Sequence, residues 1–168
     1  GSRNSFTRKL SLEEMFATGI KSASKANINS IVKASASMAA SKTGALIVIA
    51  RKSELHQYIQ TGVLINANIS SLMIENIFFK NNPLHDGAVI IYGNKIRAAR
   101  CVLPVSEDID LAPNLGLRHR AAMGMSQVTD AIVVVISEQA GKISLAKEGK
   151  LQTNLSEEEL SKILHTEF

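Results

Sequence analysis

Ala131-Ile132-Val133-Val134-Val135-Ile136 is an unbroken apolar run, and Ala45-Leu46-Ile47-Val48-Ile49 is a second. A strand with one wet face alternates apolar and polar residues, whereas a strand without alternation must be covered on both faces. These runs therefore demand a sheet held between helices. With 168 residues, 45% of them hydrophobic, the chain is long enough for one such domain with a sizeable core. Aromatic residues make up only 4% and tryptophan is absent, so that core is built from Ile, Val, Leu, Ala and Met.

The remaining elements follow from periodicity and punctuation. Ser11-Leu12-Glu13-Glu14 is a capping box that opens a first helix. A second helix is predicted over 26–41, with Ile28, Ile31, Val32, Ser35, Met38 and Ala39 on one face and Lys25, Asn29, Lys33 and Ser37 on the other. Gly44 breaks it. Segment 55–59 reads as a helical turn, Thr61-Gly62 as a turn and Val63-Leu64-Ile65 as a short strand. A helix over 70–79 uses Leu72, Ile74, Ile77 and Phe78 as its apolar residues and stops at Asn81-Asn82-Pro83. A strand over 88–92 turns at Gly93-Asn94 into a returning strand over 95–103. A polar loop over 104–113 leads to a helix over 117–127. After the 131–136 strand, one over 143–146 pairs across Glu148-Gly149. Ser156-Glu157-Glu158-Glu159 is another capping box and opens the closing helix. Helices alternate with strands, yet the hairpin requires antiparallel pairing. The expected fold is α/β, a single mixed parallel and antiparallel sheet flanked by helices. Gly1-Ser2 reads as a protease-cleavage scar, 3–25 as an N-terminal helical segment and 26–168 as the functional domain. Neither a repeat nor a low-complexity tract interrupts it.

The net charge of +4 admits polyanionic partners such as nucleotides. The basic residues are scattered, with no stripe interleaved with aromatics, so no nucleic-acid partner is expected. A lone cysteine, Cys101, excludes an intrachain disulfide and points to a reducing compartment. Its apolar surroundings predict a buried structural thiol, and Tyr58, Met73, Met123 and Met125 are expected to pack. No apolar run approaches the ~20 residues that span a bilayer, so the chain is expected to be soluble. Phosphate-loop, dinucleotide, zinc and serine-hydrolase signatures are all absent from the sequence.

Two clusters can carry chemistry. Leu84-His85-Asp86-Gly87-Ala88 holds an acid at the mouth of a strand, beside a glycine that lets another backbone or a ligand approach. Asp86 there can coordinate a metal or activate a hydroxyl; Asp-Gly is also a common turn dipeptide. His85 reads equally as a metal ligand and as a hydrogen-bonded structural histidine. Arg118-His119-Arg120 stands at a predicted helix start. Consecutive helical residues point in different directions, so Arg118 and His119 are expected to contact an anion while Arg120 supports them. Backbone donors at the helix start add to that. The competing reading, a solvated basic patch, has to place two arginines where the helix dipole disfavours them. Ser137 and Glu138 end a buried strand, a position that often lines a ligand crevice. A carboxylate with an arginine-rich turn is what a metal-triphosphate site needs.

Asn82-Pro83-Leu84-His85-Asp86-Gly87-Ala88-Val89-Ile90-Ile91, Leu103-Pro104-Val105-Ser106-Glu107, Gly116-Leu117-Arg118-His119-Arg120-Ala121-Ala122 and Val135-Ile136-Ser137-Glu138 together resemble the diadenylate cyclase domain. The likeness runs over about 31–168 and is nearest to the membrane-anchored bacterial branch. It implies that 26–168 is a catalytic domain condensing two ATP into cyclic di-AMP with release of two pyrophosphates, in a face-to-face homodimer. It implies Asp86 as the catalytic acid, acting as a base or through Mg²⁺ or Mn²⁺, with Glu138 and His85 as further metal ligands. Gly87, Ala88, Leu103, Leu117, Arg118, His119, Arg120 and Ser137 would bind the nucleotide. The full-length protein would be anchored to the cell membrane with this domain in the cytoplasm. A catalytically weak regulatory domain that senses a nucleotide is the alternative. Leu117 where many members have threonine, Val102 where some have a stacking tyrosine, and Ala50 where glutamate is frequent depart from the family pattern.

Overall fold

The two apolar runs become neighbouring strands in the middle of one sheet. The computed structural model describes residues 23–108, 113 and 115–168. The capping box at 11–14 and nearly all of segment 3–25 lie outside the described residues. Lys25–Ala40 forms helix α1, Ala45–Ile49 strand β1, His56–Ile59 the short helix α2, Val63–Asn68 strand β2 and Ser71–Phe78 helix α3. A 3₁₀ turn at Pro83–His85 precedes β3 (Ala88–Tyr92) and β4 (Lys95–Cys101). Helix α4 (Leu117–Val128), strands β5 (Ile132–Ile136), β6 (Ile143–Lys147) and β7 (Lys150–Leu155) and helix α5 (Glu157–Glu167) complete the order. The seven-stranded sheet runs β2-β4-β3-β1-β5-β6-β7. Only β1 and β3 are parallel; the other neighbours are antiparallel. The expected mixed sheet between helices is the one observed.

Side chains that alternate along the central strands divide into two cores. Ile47, Ile49, Val89, Ile91, Val134 and Ile136 pack with Ile31 and Met38 of α1, Ile74 and Phe78 of α3, and Leu160 and Leu164 of α5. Leu46, Val48, Ile90, Val133 and Val135 pack on the other face with Ile59 of α2 and Ala122 and Met125 of α4. Each Val, Leu, Ile, Phe or Met side chain among them, fully withdrawn from water, contributes about 1.5–3 kcal/mol. Covering both faces explains why neither strand has a polar alternate.

Local chemistry sets the boundaries. Ser24 caps α1, its hydroxyl accepting from the Asn27 amide at 3.2 Å, and Ser70 caps α3 by accepting from Met73 N–H at 3.1 Å. The closing helix carries the full reciprocal box between Ser156 and Glu159, with both bonds at 3.0 Å. Hydrogen bonding to the carboxyl from the Ser156 backbone, and then from its side chain, holds Glu159 below its usual range. At the β3–β4 hairpin Gly93 has φ 61°, and the Asn94 side chain accepts from Ser24 N–H at 2.8 Å, tying the turn to the start of α1. Glu148 (φ 51°) and Gly149 (φ 75°) both take the left-handed conformation that a tight hairpin between β6 and β7 requires.

Several expectations are corrected. β2 continues to Asn68 and β4 stops at Cys101. The short α3 buries Ile74, Ile77 and Phe78, one helical face, so Leu72 (72% exposed) and Met73 (38% exposed) point away from the core. On α1, Ala39 is partly buried against the first core as expected, and Ala34, at the edge of the stripe, is buried as well. Met123 and Met125 are buried as expected, and Tyr58 packs partly buried against the second core.

The N-terminal ends of β1 and β3 lie beside the C-terminal ends of β5 and β4, since Ala45 pairs with Ile136 and Ala88 with Cys101. Helix α4 packs over β1 and β5. The residues that can do chemistry converge at this end of the sheet.

Candidate active site

Asp86 leaves the 3₁₀ turn in an extended conformation and is followed at once by Gly87 with φ 89°. Asn82 builds that turn: its side-chain oxygen accepts from Leu84 N–H at 2.9 Å, and its amide donates to the Asn76 carbonyl at 2.9 Å. A Cβ on Gly87 would stand 2.7 Å from the Cys101 carbonyl oxygen, so both φ and space require glycine. The opposite strand is irregular at the same level. Ala88 pairs with Cys101 but Ile90 with Ala98, so β4 carries an extra residue, and Arg100 has φ 57°. Bulges of this kind re-aim side chains next to sites.

The other side of the site comes from regular elements. Gly116 caps α4 without a side chain, so the helix start has no side-chain acceptor of its own. Arg118 Nη1 lies 3.7 Å from Glu138 Oε2, just past the end of β5. The Arg118 guanidinium lies over Gly44, where a Cβ would come within 2.4 Å of Nη1. His119 is 8% exposed, and burial, then the neighbouring Arg118 charge, lowers its pKa. It is therefore neutral at pH 7 and offers one N–H rather than a positive charge.

These groups share one hollow of about 520 Å³. Asp86, Gly87, Leu103, Leu117, Arg118, His119, Ser137 and Glu138 all line it. Its volume falls within the roughly 300–1,000 Å³ usual for small-molecule sites. Three expected site residues are elsewhere. Ala88 is fully buried within the sheet. Arg120 does not line the hollow, because successive helical residues turn away by about 100°; its carbonyl accepts from Ser106 N–H at 2.9 Å instead. His85 is also absent from the lining, and its Nδ1 lies 2.8 Å from the Asn82 carbonyl oxygen. Among the described residues no group of three His, Cys, Asp or Glu side chains is placed to hold a metal ion, so the expected trio of Asp86, Glu138 and His85 is not assembled. Asp86 and Glu138 alone face the hollow.

Sequence reasoning missed Leu46, Val105, Gly116, Ala121, Ile136 and Gln139 as lining residues. Ala121 was legible in principle, three residues beyond Arg118 on the same face of a helix. Gly44 was read only as a helix breaker, and nothing local reveals a contact with Arg118. Val102, 65% exposed, and Leu117, 71% exposed, put bare apolar surface on the rim. Cys101 is buried as expected, and burial pushes its thiol up to about 11. A thiol so placed is unreactive at neutral pH.

Comparison with known proteins shows the family. A diadenylate cyclase of Listeria monocytogenes is 52% identical over 141 residues, covering 84% of this chain and 52% of that protein. The cyclic di-AMP synthase CdaA of Bacillus subtilis is 46% identical over 151 residues, 90% of this chain and 55% of that protein. The chain thus spans about half the length of these curated relatives. A crystal structure of DacA from Staphylococcus aureus superposes with a TM-score of 0.82 at 43% identity, covering 84% of this chain and 94% of that one. The family model described as DAC, DisA bacterial checkpoint controller nucleotide-binding, matches residues 32–151, which include both Asp86 and Arg118, and the chain belongs to that family.

Proposed function

We propose that this domain is a diadenylate cyclase, converting two ATP into cyclic di-AMP and two pyrophosphates. The observation that carries the reading is the meeting of Asp86 with Arg118 and Glu138 in one nucleotide-sized hollow. Arg118 supplies a planar cationic fork for phosphate oxygens, and neutral His119 and the free N–H groups at the start of α4 supply further donors. Leu103, Leu46 and the rim residues Val102 and Leu117 give apolar contact for a base. Asp86 sits where it accepts the proton of a ribose 3′-hydroxyl. The freed oxygen forms a bond to the α-phosphorus of the other ATP. The bond from that phosphorus to its bridging oxygen breaks, and the electron pair leaves with pyrophosphate. Repetition with the roles exchanged closes the ring. Such chemistry needs positioning and charge neutralisation more than covalent help from the protein.

Asp86 and Glu138 are hard oxygen donors, the type Mg²⁺ and Mn²⁺ prefer, and triphosphate oxygens complete such a shell, so the residues fit a divalent ion. When bound, that ion would neutralise phosphate charge. The hollow has room for one nucleotide, and in-line attack needs a second from the opposite side. A twofold pair of domains, hollow facing hollow, provides it. The family likeness also supports attachment of the full-length protein to the cell membrane; among the described residues no helix is long and apolar enough to cross one.

Incubation with ATP and Mn²⁺, followed by mass spectrometry, tests the reading. Cyclic di-AMP is the expected product. ATP binding with no product would instead favour the regulatory-domain alternative, for which the exposed Val102 in place of a stacking aromatic is the supporting observation.

A further inference from the structure

A second hollow, of about 370 Å³, opens on another side of Asp86. It shares Asp86, Gly87 and Val102 with the first and adds Thr61, Gly62, Val63 and Arg100. The two basins thus meet along a ridge made by the candidate catalytic acid, its glycine and one exposed valine. Arg118 lines only the first basin and Arg100 only the second.

Arg100 differs from the other arginines of the sheet and site. Arg97 bonds Asn66 at 2.8 Å, Arg51 pairs with Glu167 at 3.2 Å, and Arg118 pairs with Glu138. Arg100 is exposed and makes no ion pair or side-chain hydrogen bond with any described residue. It also occupies the left-handed position of the β4 bulge, a conformation that residues other than Gly, Asn and Asp seldom adopt. The bulge is held from both sides. Gly87 lies against the Arg100 backbone, and Gly62 against the Ala99 carbonyl, where a Cβ would come within 2.3 Å. The Val102 N–H that follows is fixed by Thr61 Oγ1 at 2.8 Å. An unpaired guanidinium is thereby stationed beside Asp86 on a rigid backbone.

We infer that Arg100 is a further catalytic residue, engaging the α-phosphate of the ATP carried by the facing copy as the 3′-hydroxyl at Asp86 attacks it. This rests on the cyclase reading above. The protomer's own triphosphate lies with Arg118 in the first basin. The α-phosphorus under attack must reach the hydroxyl from a different direction, and the second basin is another hollow that Asp86 lines. Charge builds on the non-bridging oxygens in the transition state, and a free guanidinium fork matches them.

The test is Arg100→Ala in the otherwise intact protein, read by turnover, by affinity for a non-hydrolysable ATP analogue and by sedimentation. The expected result is a fall in kcat of about 10- to 100-fold with analogue affinity and dimerisation unchanged, partly restored by Arg100→Lys. Turnover within twofold of the parent overturns the inference, as does a parallel loss of analogue affinity, which would assign Arg100 to its own protomer's nucleotide. Recovery of full kcat on raising protein concentration also overturns it, because Arg100 would then only assist docking. If the parent protein itself makes no cyclic di-AMP, it is the cyclase reading that fails.

Discussion

Gly87 and Gly44 both lie where a methyl group has no room, but for different reasons. At Gly87 the obstacle is backbone, the Cys101 carbonyl 2.7 Å from a Cβ, and φ is 89°. At Gly44 the obstacle is the tip of a flexible side chain, the Arg118 guanidinium at 2.4 Å, and φ is not left-handed. The acid end of the site is thus positioned by the main chain, and the phosphate end by a side chain resting on a regular frame. Disturbing the first should damage fold and chemistry together. Disturbing the second should damage binding and leave the fold alone.

The sharpest way to break this division is at the acid itself. Asp86→Asn keeps shape and removes charge, so product formation should fall by about 10²- to 10⁴-fold while ATP affinity stays within about threefold; near-normal turnover would remove Asp86 from the chemistry. Gly87→Ala should abolish activity and also destabilise the domain by about 1–3 kcal/mol, read as a lower melting temperature, because neither the φ nor the Cys101 carbonyl can give way cheaply. Gly44→Ala should leave the melting temperature nearly unchanged and weaken ATP binding several-fold by displacing Arg118, an effect of about 1 kcal/mol. A large stability loss there would mean that Arg118 cannot move, and the contrast would collapse.

The smallest effect is a pH dependence. Burial and Arg118 lower the pKa of His119, so the unfolded chain takes up that proton more readily than the folded one. Its contribution to stability is full above the ordinary histidine value of about 6.5 and is lost as pH falls toward the lowered one. Melting temperatures between pH 7.5 and 5.5 should therefore decline less steeply in His119→Gln than in the parent.

Legibility varied with the range of the forces involved. Both unalternating runs, the hairpin turns at Gly93 and Gly149 and the capping box at Ser156 are local patterns, and each was placed correctly from neighbours in the chain. Asp86, Arg118, His119, Ser137 and Glu138 were also found, since acid-glycine and basic clusters at element ends are visible without coordinates. Arg120, Ala88 and His85 were grouped with them by proximity in sequence, but helical rotation, burial in the sheet and a 3₁₀ turn send them elsewhere. The helix over 70–79 was legible as an element and Ile74, Ile77 and Phe78 as its buried residues, but Leu72 and Met73 were wrongly added, because a short amphipathic stretch does not show where its buried face ends.

Residue order alone determined a sheet with helices on both faces, since strands without polar alternates have no solvated option. It also determined which side chains can carry charge to a phosphate. Only tertiary structure decided that β1 lies between β3 and β5, that Gly44 supports Arg118, and that Arg100 and Arg118 line different sides of Asp86. Those facts depend on contacts between segments far apart in the chain, and such contacts are set by packing the whole core rather than by any local preference.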